Sequence, residues 1–270
     1  MIRLKENALG WEPVAEPAIL VDQLVKRFGD VEAVKGVSFA VRTGTTTALL
    51  GGNGAGKTTT LSMLLGVLTP SRGRITVLGE DMPAHRHRVL PRMNFTSPYV
   101  DLPKRLTVAQ NLSVFADLYG LRRARERIAE VAEDCDLTGL LKRPYGSLSA
   151  GQRTRVSLAK AVLNEPEVLL LDEPTASLDP DIGDRMRTYL ERYQHRTGCT
   201  MLLASHHMGE VERMCDDVIM LREGRVVDQG SPPQLLARYG RENMEEVFLD
   251  VARGRSDERV PGGAAVETAA

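Results

Sequence analysis

The segment Gly51-Gly52-Asn53-Gly54-Ala55-Gly56-Lys57-Thr58 sets glycines, a lysine and a hydroxyl at the spacing that wraps a polyphosphate, between an expected strand and an expected helix. Glycines let the main chain approach the phosphates closely, and the amide N–H groups at the helix start supply positive potential. Lys57 is then placed to reach β- and γ-phosphates, and Thr58 to ligate magnesium. Thr59 and Thr60 continue the run of hydroxyls toward phosphate, although a packed helix position accounts for Thr60 equally well.

A second feature lies further along the chain, where Val168-Leu169-Leu170-Leu171 is followed by Asp172-Glu173. This reads as a buried strand ending in two carboxylates. A doubly wound sheet binds its ligands at the carboxyl ends of its strands, so both acids can face bound phosphates. Asp172 suits a magnesium ion, directly or through water, and Glu173 suits a base for the attacking water.

These groups need a scaffold to position them. Strands are expected over 19–25, 36–41 and 45–50, the last running into the glycine loop, then a helix over 58–67 stopped by Pro70. Short strands follow over 74–78 and 92–96. From Thr107 the period turns helical: Thr107-x-x-Gln110 is a capping box ahead of apolar Leu112, Phe115, Ala116 and Tyr119, and Gly120 ends that helix. Further helices are expected over 122–135 and 151–163. Strands over 168–171, 200–204 and 217–221 then alternate with helices over 181–195 and 207–215, an order that implies parallel strands with crossover helices. The middle of the chain thus reads as a helical insert in an α/β body.

Composition narrows the function. The 270 residues carry 35 lysines and arginines against 36 aspartates and glutamates, a net charge of −1, and aromatics are 4% of the chain. A dedicated nucleic-acid binder would carry a basic excess or a stacking platform, so no nucleic-acid partner is expected. Cys135, Cys199 and Cys215 form no CxxC pair, which suits a reducing compartment without a disulfide framework or zinc cluster. No apolar run approaches the length of a membrane span, so the chain is not expected to cross the bilayer by itself, although it could dock onto a protein that does. Residues 1–17 read as an extended arm and residues 253–270 as a flexible tail. His85-Arg86-His87-Arg88 reads as a solvated face rather than a metal site.

With Leu148-Ser149-Ala150-Gly151-Gln152 added, the sequence resembles the ATP-binding cassette (ABC) ATPases, whose signature is LSGGQ in most members. The likeness runs through Pro174, Ser177-Leu178-Asp179 and Ser205-His206, and covers about 19–230. It implies an α/β fold: a P-loop NTPase parallel sheet core with an antiparallel β subdomain and an inserted helical signature subdomain. The cassette would span 18–252, with its helical part at about 98–163. It further implies ATP and Mg2+ as ligands. Gly51, Asn53, Gly54, Ala55, Gly56, Lys57, Thr58 and Thr59 would cradle phosphate, with Phe28 stacked on adenine. Thr58 and Asp172 would hold the metal, and Glu173, His206 and Lys57 would serve catalysis.

In this family two cassettes pack head to tail. Ser149, Gly151, Gln152 and Asp179 would therefore act across an interface with a second copy or a similar cassette. The partner that hydrolysis drives would be a transmembrane permease subunit, placing the chain at the cytoplasmic face of the cell membrane as a peripheral subunit. The C-terminal order ending in Met-Glu-Glu-Val-Phe-Leu-Asp, residues 244–250, resembles export systems.

The pattern departs from the family where a glutamine is usual: Asn94-Phe95-Thr96-Ser97-Pro98-Tyr99 offers only Ser97. A hydroxyl is shorter than a carboxamide, so this loop is expected to reach the metal through water or to sense the partner. Gly52 and Ala150 are milder changes. His207 follows His206 directly, but spacing to Glu210 and Glu212 favours His206. Three other classes fit the sequence less well. A soluble ABC-type ATPase acting on nucleic acid or ribosomes usually carries two cassettes or long coiled coils. A GTPase needs an NKxD motif, and a non-hydrolysing regulatory cassette would lack Glu173 and His206.

Overall fold

In the computed structural model, residues 16–98 and 100–254 are described. Most of the expected arm over 1–17 and tail over 253–270 lies outside them. The chain opens with β1 (Pro17–Phe28), β2 (Val31–Arg42), β3 (Thr46–Gly51), α1 (Lys57–Leu64), β4 (Arg72–Val77), β5 (Glu80–Met82), α2 (Arg86–Val89) and β6 (Met93–Thr96). An inserted helical layer follows as α3 (Val108–Leu118), α4 (Ala124–Asp134) and α5 (Ala150–Ala161). The chain returns through β7 (Val168–Asp172), α6 (Pro180–Thr197), β8 (Thr200–Ala204), α7 (Met208–Met214), β9 (Asp217–Arg222), β10 (Arg225–Gly230), α8 (Pro232–Tyr239) and α9 (Met244–Ala252).

Among the described residues the strands form two sheets. One is antiparallel in the order β2-β1-β4-β5, and the other runs β10-β9-β3-β8-β7-β6. In the second, β9, β3, β8, β7 and β6 are mutually parallel, and only β10 pairs antiparallel with its neighbour. This is the α/β P-loop NTPase arrangement with an antiparallel β subdomain and a helical insert.

The parallel strands are covered on both faces, which is why they read as unbroken apolar runs rather than alternating ones. Alternate residues divide between two cores. Leu49, Leu170, Leu202 and Ile219 pack with α1 and the antiparallel sheet, whereas Ala48, Leu50, Leu169, Leu171 and Leu203 face the helical layer. The period of two along each strand assigns the residues to their layers.

Several expected boundaries shift for local reasons. The helix after the glycine loop ends at Leu64 instead of continuing to 67, because Gly66 adopts φ 65°. The amides of Gly66 and Val67 turn back onto Met63 and Ser62, so glycine rather than Pro70 terminates it. The capping box at Thr107 forms as expected, with Thr107 Oγ1 accepting from Gln110 N at 3.2 Å and Gln110 Oε1 accepting from Thr107 N at 2.9 Å. The sequence reading did not anticipate β5, β10, α8 or α9. A capping box of Ser231 and Gln234 starts α8, and Asn243 caps α9. The 85–88 segment is exposed, and His85 and Arg88 pair with Glu80. All three cysteines are buried free thiols.

Candidate active site

Strand β3 delivers Gly51 and helix α1 starts at Lys57, so residues 52–56 turn sharply between two packed elements. Gly56 sits at φ 102°, and a Cβ there would stand 3.0 Å from the Ala33 carbonyl oxygen. Only glycine meets both demands without strain. Lys57 Nζ donates to Gly51 O and, at 3.2 Å, to Gly52 O, which lays the ammonium across the mouth of the loop. Burial lowers the Lys57 pKa, while Glu173 and Asp172 oppose that by attraction. A cleft of about 630 Å3 is lined by residues 52–59 with Val31, Ala33, Lys35 and Glu223.

The two threonines that follow the loop part company at that cleft. Thr59 lines it, but Thr60 is fully buried and its Oγ1 has no hydrogen-bond partner, so that side chain is core and turned away from the loop mouth. Phe28 ends β1 half exposed, with Lys26 Nζ 5.1 Å from its ring centroid. It stands on the same hairpin as Val31 but outside the cleft's lining residues.

The second half of the site forms where β7 ends. Asp172 is 6% exposed. Burial pushes its carboxyl up from the usual range and the charge of Glu173 adds to this, against the Ser97 hydrogen bond and the Lys57 charge. Ser97, at the end of β6, donates from Oγ to Asp172 Oδ2 at 3.2 Å. Glu173 adopts φ 50°, a left-handed conformation unusual for a glutamate, and its amide donates to Ala204 O at 2.8 Å. Its Oε1 lies 2.6 Å from His206 Nδ1. The histidine beside Glu173 is thus His206, and His207 instead caps α7 with its backbone. Strand order supplies the proximity, since β7 and β8 are neighbours and end together.

The signature segment is built as a helix start. Ser149 Oγ accepts from Gln152 N at 3.2 Å, and Gln152 Oε1 accepts from Ser149 N at 3.0 Å, a second capping box. A Cβ on Gly151 would meet Ser177 O at 3.0 Å, so glycine lets α5 lie close against the 175–178 turn. Asp179 caps α6 without a side-chain bond and is exposed. The described residues that line the phosphate-loop cleft include none of 149–152.

The donors at this site suit magnesium. It takes hard oxygen ligands, one or two from the protein, and keeps waters and phosphate oxygens for the rest. Asp172 and the Thr58 hydroxyl are such donors, and a divalent cation would offset both the burial and the neighbouring charge that push Asp172 toward its neutral form. Among the described residues no group of three or more His, Cys, Asp or Glu is gathered around a metal-sized point.

A buried network next to the site escaped the sequence reading. Glu210, 1% exposed, accepts from Thr175 Oγ1 and, at 2.8 Å, from Ser205 Oγ. Glu212 instead accepts from Met244 N at 2.5 Å and anchors α9. Helical spacing in a seven-residue helix does not reveal which of two glutamates turns inward; packing against α6 and α9 decides it.

Comparison with known proteins gives a consistent result. A family model described as "ABC transporter" matches residues 34–176. The Nod factor export ATP-binding protein I of Ralstonia nicotianae is 39% identical over 87% of this chain and 73% of its own length. Among solved structures, an ATP-binding subunit of an ABC transporter superposes with a TM-score of 0.81 at 26% identity, covering 87% of this chain and 99% of that one. A dimeric bacterial ABC transporter cassette superposes with a TM-score of 0.73 at 22% identity, covering 79% of this chain and 98% of that one.

Proposed function

The chain belongs to the ABC transporter family as an ATP-binding, ATP-hydrolysing subunit, and we propose that it is one of two cassettes that close around two ATP molecules to drive a separate membrane permease in export. The partner cassette is a second copy or a similar chain, and the pair sits at the cytoplasmic face of the membrane, held there by the permease. Among the described residues no helix is long and apolar enough to cross a membrane. The export direction is supported by the Nod factor export relative. In this reading the cassette spans 18–252, with the helical signature part at about 98–163, an arm at 1–17 and a tail at 253–270.

The observation that carries the reading is the division of the site. The loop around Lys57 and the acids at the end of β7 stand together, near enough for Asp172 and Glu173 to act on the Lys57 charge. The capped start of α5 packs on Ser177, and residues 149–152 line no part of the cleft around Lys57. One chain therefore supplies the phosphate cradle and the hydrolytic pair, and the surface of Ser149, Gly151, Gln152 and Asp179 is left for the other cassette's nucleotide. The amides of Gly51, Asn53, Gly54, Ala55 and Gly56, with Thr59, hold the phosphates, and Phe28 at the rim stacks on the base. Lys57 neutralises the β- and γ-phosphates. Glu173 receives the proton of the attacking water while His206, hydrogen-bonded to it, orients that water against the γ-phosphate. Thr58 and Asp172 would hold magnesium, which would supply charge screening for the phosphates.

Affinity purification of the tagged chain from native membranes tests this. The expected result is an integral membrane subunit in stoichiometric amount together with ATPase activity. Recovery with ribosomes and no membrane subunit would overturn it.

A further inference from the structure

Glu173 and His206 are 33 residues apart and lie on two different strand ends. The 2.6 Å contact between them requires that both loops be held in register; the ladder ends at Asp172 and Ala204, one further backbone bond runs from Glu173 N to Ala204 O at 2.8 Å, and the side of His206 is left to side chains. One buried carboxylate spans the gap. Glu210 Oε1 receives the hydroxyl of Thr175, two residues after Glu173, and Glu210 Oε2 receives the hydroxyl of Ser205, the residue before His206. Ser205 Oγ in turn accepts from His207 N at 3.0 Å, so the main chain wraps tightly on both sides of His206. Arg187 Nη1 from α6 stands 3.6 Å from Glu210 Oε1 and is itself mostly buried.

The obvious alternative is a carboxylate that merely satisfies the start of α7. That reading accounts for the charge at the helix start, but not for two hydroxyls drawn from the two catalytic loops, one onto each oxygen. Burial pushes the Glu210 carboxyl up, and the Ser205 bond and Arg187 oppose this.

We infer that Glu210 is a positioning residue for hydrolysis: by holding Thr175 with one oxygen and Ser205 with the other, it sets the approach of His206 to Glu173. The inference rests on the reading of Glu173 and His206 as the hydrolytic pair. A carboxylate is suited to the task because it accepts at both oxygens, whereas a carboxamide in its place presents one acceptor and one donor and must force one hydroxyl to reverse its bond.

A double-mutant cycle on the purified full-length chain tests it. Glu210→Gln is expected to lower kcat for ATP hydrolysis by about 10-fold to 100-fold, with KM for ATP changed less than about 2-fold, because a displaced catalytic group costs turnover rather than binding. In a His206→Ala background the same substitution is expected to cost less than about 2-fold more, since the group it positions is gone. Equal losses in both backgrounds, or no loss in the parent, would overturn the inference while leaving the pair's role intact. A His206→Ala variant with unchanged kcat would overturn the pair's role, and the inference with it. Should Glu210→Gln fail to fold, Thr175→Val and Ser205→Ala each detach one side of the tie. Each is expected to lower kcat in the parent and not in the His206→Ala background, and additivity in both would overturn the inference.

Discussion

Ser97 Oγ stands 3.2 Å from Asp172 Oδ2, which ties the loop leaving β6 directly to the carboxylate at the end of β7. The loop in which the family usually has a glutamine thus touches Asp172, which we propose as a ligand of the metal. Ser97→Ala removes a donor that holds the Asp172 carboxylate in place. Loss of an outer-shell partner commonly weakens metal binding by 10-fold to 100-fold, so the variant should need about 10-fold more Mn2+ for half-saturation in the presence of ADP, read by electron paramagnetic resonance. An unchanged midpoint would show that the contact does not orient Asp172.

The role of Glu173 is separable from nucleotide binding. Glu173→Gln keeps the side chain's size and removes the base we propose, so turnover should fall by about 100-fold to 10,000-fold while ATP still binds. Single-turnover hydrolysis beside equilibrium binding of a fluorescent ATP analogue checks both halves.

Lys57→Ala should do the reverse and weaken binding itself, because it removes the ammonium that lies across the loop mouth, where we propose the phosphates sit. The same analogue should show its Kd raised by at least about 10-fold, the equivalent of a charge-assisted hydrogen bond.

Gly151 carries a packing prediction. An alanine Cβ would stand 3.0 Å from Ser177 O, a backbone atom that must move to admit it. Gly151→Ala should therefore displace α5 from the 175–178 turn and lower ATPase turnover by about 10-fold to 100-fold, the cost of misplacing reacting groups by less than an ångström or so. Thermal melting should change little by comparison.

Lys160 gives a pH signature. Its ammonium donates to Phe95 O at 2.9 Å and lies 5.5 Å from the Phe115 ring centroid, and burial pulls its pKa down to about 8. Below that value the folded and unfolded chains both carry the proton, and the burial penalty is present in full. Between about 8 and the ordinary value of 10.5 the unfolded chain keeps a proton that the folded chain has released, so stability from this group rises with pH. Melting temperatures from about pH 7 to about pH 10 should rise in the parent relative to Lys160→Met. A constant difference between the two would mean that Lys160 does not titrate in that window.

Legibility from sequence followed the range of the interactions. The glycine loop, the Thr107 and Ser149 helix starts and the apolar strands were readable because each is coded within a few residues. The helix after the loop was read too long because a left-handed glycine stops it before the proline does. For Thr60 the sequence leaves a phosphate-facing hydroxyl and a packed helix position equally open, and the helix turns it into the core. The edge strand β10 is hard to read because it offers only Val226 and Val227 as apolar residues, whereas the two C-terminal helices carry local signals, the Ser231–Gln234 capping box and the apolar positions of 244–252.

The sequence by itself determined the chemistry available: a phosphate cradle with Lys57, a paired Asp172 and Glu173, a histidine after β8 and a capped signature helix. Tertiary structure decided which of these meet. Parallel pairing of β7 with β8 brings Glu173 to His206 rather than His207, and pairing of β6 with β7 brings Ser97 to Asp172. Packing of α7 against α6 turns Glu210 inward. Those choices depend on contacts between residues far apart in the chain, which burial and strand register select and local residue order does not encode.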